Sequence, residues 1–187
     1  MHPRFDEVIQ QILQRDPFGY VVLPKGAQPI LAKALLARFQ LTIRDENLLK
    51  RIHFVPPDGS FLSRPSFLRL LRLSTVVLDP APFGGGLTSL EAFSVGKPVV
   101  TLNNSQRSGR LTLAMYGLMD MVGKQWGQFQ NISCCVAQNF DEYVNMALAL
   151  ARPTSYERYV ADEVVDAIRS RSDILFNDRY TPIGCSF

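Results

Sequence analysis

The sequence predicts an α/β fold, a Rossmann-like parallel sheet with helices on both faces. Short apolar runs of four or five residues alternate with longer segments of helical period along the chain. These runs are apolar throughout, which is typical of parallel strands that are buried on both sides. The chain has 187 residues, with 47% hydrophobic and 20% charged residues, which suits one globular domain. We therefore assign residues 1–187 to a single domain.

The amino-terminal half of the chain begins with a helix. Residues 4–15 carry apolar side chains at a helical period, namely Phe5, Val8, Ile9, Ile12 and Leu13. The Asp-Pro-Phe-Gly stretch that follows is a turn signal, and the valine-rich run after it is typical of a strand. The same two patterns predict the other elements of this half, which are strand 20–23, helix 28–41, strand 51–55, helix 61–73 and strand 75–79.

The carboxyl-terminal half continues this alternation. A Gly-Lys-Pro turn separates helix 88–95 from strand 98–102. The apolar stretch Ile-Ser-Cys-Cys-Val-Ala predicts a last strand at 134–137, where we expect Cys134 and Cys135 to be buried thiols that behave as small apolar side chains. The remaining elements are helix 107–117, a surface loop at 123–133, and two closing helices at 140–151 and 155–175.

Composition and charge weigh against several classes of function. The formal net charge is only +3 and the arginines are spread along the chain, so nucleic acid is not an expected partner. No apolar run reaches the roughly 18 residues that a membrane span requires, and the first residues resemble neither a signal nor a transit peptide. We therefore expect a cytoplasmic protein without a membrane partner. The two histidines, His2 and His53, form no zinc-ligand spacing with the cysteines, so no metal is expected.

The candidate site lies in the stretch DPAPFGGGLTSLEAFSVGKPVVT, residues 79–101. Ligands of an open parallel sheet bind beyond the carboxyl ends of the strands, and here three glycines join such an end to helix 88–95. Unpaired N–H groups at a helix N-terminus attract a phosphate, and glycines allow it to approach the backbone. Thr88 adds a hydroxyl donor, and Glu91, one turn later, can accept hydrogen bonds from a ribose.

The same stretch has a second interpretation that needs no ligand. The glycines can form a tight strand-to-helix turn, with Thr88 as the N-cap and Glu91 as the second member of a capping box. The stretch is neither a P-loop, because no Gly-Lys-Ser/Thr follows, nor a dinucleotide fingerprint. Spacing alone leaves both interpretations open.

The pattern from Asp79 to Thr101 resembles the carboxyl-terminal half of the protein O-GlcNAc transferase and SPINDLY type of glycosyltransferase. The resemblance extends upstream through RIHFVPP and FLRLLRLSTVVLDP, and downstream through VAQNFDEYVNMALALA and ILFNDRY. Enzymes of this family have the GT-B fold, in which two Rossmann-like halves face each other across a cleft. The resemblance implies that the chain is one half of a GT-B fold, a nucleotide-sugar-binding domain of a cytoplasmic or nucleocytoplasmic enzyme.

The resemblance also implies which residues hold the diphosphate of a UDP-sugar. The loop and helix start that do so in the family correspond to Gly86, Leu87 and Thr88, with the backbone of Gly85 beside them. O-GlcNAc transferases of the family tend to have a histidine and two threonines here. This sequence keeps only Thr88, so Gly86 and Leu87 contribute backbone in place of two side-chain donors.

Three further donor-binding positions are implied by the same resemblance. Glu91 corresponds to an acidic residue that contacts the ribose, and Phe67 lies near a uracil-stacking side chain. Arg110 matches an arginine of the family. A core phenylalanine and a solvated arginine are the respective alternatives for Phe67 and Arg110. Lys97, in the turn after helix 88–95, is expected to be a solvated turn residue.

The function implied by the resemblance is the donor-binding half of a protein O-linked glycosyltransferase, an O-GlcNAc transferase-like hexosyltransferase. It implies UDP-GlcNAc as the donor substrate, a protein acceptor, and an amino-terminal GT-B half with or without tetratricopeptide repeats as partners. No cofactor and no catalytic residue of the chain itself are expected. The chain begins where the family's first strand and phosphate-binding lysine should already have passed, so we expect a fragment that is inactive alone.

Two alternatives to this function remain open at the level of sequence. One is a degenerate or regulatory module that binds a nucleotide weakly, or binds only a partner, without catalysis. The other is half of an unrelated sugar-nucleotide epimerase or phosphorylase, since one fold hosts many functions.

Overall fold

The computed structural model describes residues 1–25, 29–55, 64–103, 109–123, 135–151 and 155–177. Helices and strands alternate along these residues as predicted. The strands are β1 (Val21–Pro24), β2 (Ile52–Val55), β3 (Val77–Leu78), β4 (Val99–Leu102) and β5 (Val136–Ala137). The helices are α1 (Arg4–Arg15), α2 (Pro29–Thr42), α3 (Glu46–Leu49), α4 (Arg64–Leu73), α5 (Leu87–Ser94), α6 (Leu111–Leu118), α7 (Phe140–Ala151) and α8 (Ser155–Arg171), followed by a 3₁₀ turn at Ser172–Leu175.

The short helix α3 is an element that the sequence patterns did not predict. Its N-cap is Asp45, whose side chain accepts a hydrogen bond from the backbone N–H of Asn47 at 2.8 Å. Four helical residues are too few to show a period, so only this capping aspartate could have indicated the helix. Most of the predicted loop at 123–133 lies outside the described residues.

All described strand pairs are parallel, in agreement with the predicted fold class. β1 pairs with β2, with Val21 opposite Ile52. β4 lies between β3 and β5, with Val77 opposite Val99 on one side and Thr101 opposite Val136 on the other. The described strands thus form a two-stranded and a three-stranded ladder, where the sequence patterns predicted one sheet.

Helices cover both faces of the β3–β4–β5 sheet. Val99 and Val100 are neighbours in β4 and both are fully buried, yet each belongs to a different hydrophobic cluster. Successive strand residues point to opposite faces, so the two clusters lie on opposite sides of the sheet. The first cluster contains the apolar face of α1 as predicted, together with residues of α7. The second contains residues of α4, α5, α6 and α8.

The structure contradicts the expectation for Cys135, which was a free thiol on an extended strand. Cys135 is buried, its φ is +71°, and it is disulfide-bonded, with a partner outside the described residues. The strand begins only at Val136. Residue 135 therefore does not have the extended backbone that the predicted strand 134–137 required.

Tyr116 of α6 fixes the start of β4 from the side of the second cluster. Its hydroxyl accepts a hydrogen bond from the backbone N–H of Val99 at 2.9 Å and donates one to the Val99 carbonyl at 3.0 Å. Its ring packs edge-on against Phe93 of α5, with the ring centroids 5.0 Å apart. Burial raises the pKa of the Tyr116 hydroxyl, so the group is a neutral donor and acceptor at neutral pH. One side chain thus ties α5, α6 and β4 together.

Candidate functional site

The candidate site lies beyond the carboxyl ends of β3 and β4. The chain leaves β3 at Asp79, passes through the three glycines, and enters α5 at Leu87. The structure describes the chain again from Gly109, and α6 begins at Leu111. Two helices therefore begin at this edge of the sheet. The edge and the position of the loop agree with what the sequence predicted.

A buried carboxylate, Asp79, organises this edge. One of its oxygens, Oδ2, accepts hydrogen bonds from the hydroxyls of Thr101 and Thr112, each at 2.7 Å. The other oxygen, Oδ1, accepts a short hydrogen bond from the backbone N–H of Gly85. Tyr143 of α7 donates its hydroxyl to the Asp79 backbone carbonyl at 3.0 Å. A buried carboxylate needs such donors, and here they come from β4, α6 and the loop itself.

The Asp79 carboxylate contributes to the pKa shifts of two buried tyrosines, Tyr143 and Tyr116. Burial raises the pKa of Tyr143, and the negative charge of Asp79 raises it further. The same charge adds to the effect of burial on Tyr116. Both tyrosines therefore remain neutral hydrogen-bonding groups at any pH near neutrality, Tyr143 at the carboxyl end of β3 and Tyr116 at the start of β4.

The glycines are required first by the packing around Asp79. A Cβ on Gly84 would lie 2.9 Å from Asp79 Oδ2, and a Cβ on Gly85 would collide with the Thr88 hydroxyl and lie 3.0 Å from the Ser89 hydroxyl. A side chain at either position would have to displace these groups. The loop is glycine-rich because it wraps closely around a buried carboxylate and its hydroxyl partners, whether or not a ligand binds on its outer side.

The N-terminus of α5 is open to solvent. Its N-cap is Gly86, which has no side chain to cap the helix, and Leu87 and Thr88 are exposed. The backbone N–H groups of the first turn have no acceptor within the part of the chain that the structure describes. The interpretation of Thr88 as an N-cap within a capping box is therefore wrong, because Thr88 is already the second residue of the helix. The open helix start is the feature that a phosphate group needs.

Glu91 is closer to the interior than the sequence suggested. It lies one turn after Thr88 but is only 8% exposed, whereas Thr88 is exposed. The Gly85 N–H, another group expected at the ligand, points inward to Asp79. Of the predicted contacts along this loop, the outward-facing ones are therefore those of Leu87 and Thr88.

Arg110 lies near this helix start. It is the exposed N-cap of α6, and its side chain makes no capping hydrogen bond. The next residue, Leu111, places its Cδ1 3.3 Å from the position of a Cβ on Gly86. The described residues offer the Arg110 guanidinium no ion pair. The structure thus brings together Gly86 and the segment that carries Arg110.

Phe67 and Lys97 are not on this outward surface. Phe67 is half-buried on α4 and packs against the second hydrophobic cluster, which favours its interpretation as a core residue. Lys97 precedes β4 and so lies at the opposite edge of the sheet. Its pKa is lowered by burial and then by the charge of Arg169, which means that the turn residue is partly desolvated rather than fully solvated.

Sequence reasoning did not find two features of this edge, its buried hydroxyls and its exposed apolar side chains, although it named Leu87 as a backbone contact. The buried hydroxyls around Asp79 are those of Ser89, Thr101 and Thr112. Their only signals in the sequence were the position of Thr101 near the end of a predicted strand and that of Thr112 two residues after Arg110. Phe83 and Leu87 are apolar side chains that are 73% and 66% exposed on either side of the glycines. Exposed apolar side chains of this size are candidates for contact with a ligand or a partner.

Within the described ranges no group of three histidine, cysteine, aspartate or glutamate side chains is placed to hold a metal ion. No described helix combines the length and hydropathy that crossing a bilayer requires.

Comparison with known proteins gives a structural neighbour but no sequence relative. Neither a protein-family model nor a curated protein matches the sequence. The structure is similar to that of a mutant O-GlcNAc transferase from Thermobaculum terrenum, with a TM-score of 0.62 and 22% sequence identity. The similarity covers 94% of this chain and 32% of that chain, so the chain spans about a third of its neighbour's length. At this level of identity the two proteins share a fold, an α/β arrangement of parallel strands with helices on both faces.

Proposed function

We propose that this chain is the donor-binding part of an O-GlcNAc transferase-like glycosyltransferase, and that it binds the nucleoside diphosphate of a UDP-sugar. The donor sugar we infer is GlcNAc. The observation that carries the proposal is the uncapped N-terminus of α5 at the carboxyl edge of a parallel sheet. The fold shared with a solved O-GlcNAc transferase supports the choice of a nucleotide sugar over other anions.

The diphosphate would bind at the outer side of the helix start. The free N–H groups of the first turn of α5 and the positive end of its dipole attract a negative group. Thr88 is exposed there and can donate its hydroxyl to a phosphate oxygen. The Gly85 amide is committed to Asp79, so the backbone donors that we assign to the diphosphate are those from Gly86 to Thr88.

Arg110 supplies the positive charge of the proposed site. Its guanidinium is exposed at the start of α6, next to the segment that contacts Gly86. A guanidinium binds phosphate oxygens in a bidentate manner and stabilises the charge that develops on a departing UDP. No metal is part of the proposal, because helix N–H groups and an arginine together provide this stabilisation.

Glu91 and Phe67 have less direct support within the proposal. A ribose contact of Glu91 requires that the ligand reach a side chain that is 8% exposed, and a base contact of Phe67 requires an open face on a half-buried ring. We retain both as donor-binding residues, for the ribose and the base respectively. Phe83, which is 73% exposed, is a further aromatic ring near the same loop.

The acceptor side of the reaction would come from elsewhere. Sugar transfer needs an acceptor oxygen aligned with the departing diphosphate, and the proposed site only holds the donor. We infer that a second GT-B half supplies the acceptor site and the catalytic side chains, and that a protein is the acceptor. The isolated chain is then expected to bind UDP and not to transfer sugar.

Calorimetric titration of the chain with UDP, GDP and uridine tests the proposal. UDP should bind more tightly than uridine, because only UDP carries the diphosphate, and more tightly than GDP if the base is also recognised. The variant Thr88→Val should weaken UDP binding about tenfold, as expected for one lost hydrogen bond to a charged group, and leave uridine binding unchanged. Arg110→Gln should weaken UDP binding at least as much.

Thr75→Val is a matched control for Thr88→Val. Thr75 is also exposed, but it precedes β3 and lies at the opposite edge of the sheet. It should leave UDP affinity at the wild-type value. Equal effects of the two threonine variants, or no UDP binding by a folded chain, would contradict the proposed site.

One observation favours a second candidate function, a degenerate nucleotide-binding or interaction module without catalysis. The loop offers a single side-chain donor, Thr88, while Leu87 and Phe83 expose apolar surface at the same place. Such a surface suits a protein partner better than a phosphate. Failure of UDP to bind would favour this module.

A further inference from the structure

We propose that Thr112 is the positioning residue of this site, and that its buried hydroxyl fixes both the glycine loop and the start of α6. The inference rests on the proposed function for its binding consequence and on the hydrogen-bond geometry alone for its structural consequence. In the proposed site Thr112 does not contact the UDP-sugar itself. It acts through Asp79, Ser89 and Gly85.

The Thr112 hydroxyl joins three chain segments. It is fully buried, and its Oγ1 lies 2.7 Å from Asp79 Oδ2, 2.8 Å from Ser89 Oγ and 3.2 Å from the Gly85 carbonyl oxygen. Asp79 ends β3, Gly85 lies in the loop, and Ser89 is in the first turn of α5. Thr112 itself is the second residue of α6. Its hydroxyl therefore links the beginnings of both helices to the end of a strand.

A hydroxyl has one hydrogen, which determines how it serves these neighbours. The bond to the carboxylate is the shorter one and has a charged acceptor, so the hydrogen goes to Asp79. The lone pairs of Thr112 can then accept a hydrogen bond from Ser89. The hydroxyl is thus donor and acceptor at once, and valine, which has the same shape, can be neither.

The consequence for the loop follows from the Gly85 peptide. Its N–H is bound by Asp79, and its carbonyl oxygen lies 3.1 Å from Ser89 Oγ and 3.2 Å from Thr112 Oγ1. Thr112 has given its hydrogen to Asp79, so the Gly85 carbonyl depends on the single hydrogen of Ser89, which lies between that carbonyl and Thr112 Oγ1. Thr112 therefore positions the loop through Asp79 and Ser89. The Gly85 N–H is directed inward to Asp79, while the next N–H groups, at the start of α5, have no acceptor among the described residues. Loss of the Thr112 hydroxyl removes one donor from Asp79 and one neighbour from the Gly85 carbonyl.

Thr101 provides a control that the fold supplies by itself. It donates to the same Asp79 oxygen at the same distance, 2.7 Å, and is also buried. It lies in β4, however, and its described hydrogen bond is to Asp79, not to Gly85 or Ser89. Thr101→Val and Thr112→Val therefore each remove one equivalent hydrogen bond to Asp79, but only the second breaks the link between α6 and the loop.

Amide hydrogen exchange of residues 85–91, combined with UDP titration, tests the inference. Thr112→Val should accelerate exchange in this segment about tenfold and weaken UDP binding about tenfold, because it removes the hydroxyl that links α6 to Ser89 and the loop. Thr112→Ser keeps the hydroxyl and should restore both to the wild-type values. Thr101→Val should lower the midpoint of thermal unfolding to a similar extent as Thr112→Val, with segment 85–91 and UDP affinity unchanged.

Three outcomes would overturn the inference. They are equal acceleration in the two valine variants, no acceleration in either, and no rescue by serine. If Thr112→Val does not fold, Ser89→Ala removes the other hydroxyl at the Gly85 carbonyl, and it should accelerate the same segment in a folded chain. The exchange results decide the positioning role even if wild-type protein does not bind UDP, an outcome that would refute only the proposed function.

Discussion

Removal of the Tyr116 hydroxyl should destabilise the fold more than its single oxygen atom suggests. The hydroxyl bonds both the N–H and the carbonyl of Val99, at 2.9 Å and 3.0 Å, and both residues are fully buried. In Tyr116→Phe neither backbone group has a replacement partner among the described residues. Each buried backbone group without a partner costs about 1–3 kcal/mol, with carbonyls at the lower end. We therefore expect a loss of about 2–4 kcal/mol in the free energy of unfolding.

Tyr143→Phe is the matched comparison for this loss. Tyr143 is equally buried, but its hydroxyl serves one backbone group, the Asp79 carbonyl at 3.0 Å. Its removal should cost about 1 kcal/mol. Urea unfolding followed by circular dichroism measures both values. Since 1 kcal/mol corresponds to about 2–4 °C for a chain of this length, Tyr116→Phe should lower the melting temperature by about 5–15 °C.

A loss below about 1 kcal/mol for Tyr116→Phe, or a loss equal to that of Tyr143→Phe, would refute this reasoning. Either result would mean that Val99 finds other partners, and that Tyr116 contributes through its ring rather than through its hydroxyl. A change in the urea dependence of the two variants would indicate an altered unfolded state instead.

Three further predictions follow from glycine packing and from ionisation. Gly84→Ala should destabilise the fold by about 1–3 kcal/mol, because its Cβ would lie 2.9 Å from Asp79 Oδ2. Gly117→Ala should stabilise the fold by about 0.5 kcal/mol, because no atom lies within 4 Å of a Cβ at that position. Equal effects of the two variants in urea unfolding would contradict this reasoning. Burial raises the pKa of both buried tyrosines, so their stabilising contribution is complete below about pH 10 and is lost as the pH rises further; tyrosinate absorbance should show that they ionise only with unfolding. Burial and a neighbouring arginine lower the pKa of Lys97, so its charged form is disfavoured in the folded state. Lys97→Met should therefore raise the melting temperature at neutral pH. This gain should shrink as the pH approaches 10.5, and a constant gain would contradict the assignment.

Helix α1 could be predicted fully from the sequence, whereas the glycine loop could be predicted only in part. The predicted helix 4–15 agrees with α1, and its five apolar positions are all buried, because a periodic apolar face specifies its own burial. The loop at the carboxyl end of β3 was predicted because glycines between an apolar run and a helix permit few other structures. The capping interpretation of Thr88 was wrong by two residues, since the helix start depends on how the loop packs around Asp79.

The predicted donor-binding residues also differ in whether the local sequence or the tertiary packing determines their exposure. Residues next to one another in the loop, such as Leu87 and Thr88, lie together at the exposed helix start. Whether Glu91 faces a ligand or the interior, and whether Phe67 offers a free ring face, depends on which elements pack around α5 and α4. Such packing has no signal in the local sequence.

The sequence by itself determined the α/β class, the alternation of strands and helices, and the edge of the sheet at which the candidate site lies. These follow from periodicity and turn chemistry, which act between near neighbours. Only the tertiary structure decided that Thr112 meets Asp79 across 33 residues and that Thr101 meets it across 22. A buried carboxylate recruits whichever hydroxyls the fold brings within hydrogen-bonding distance, and that distance is set by the packing of β3, β4 and α6 against one another.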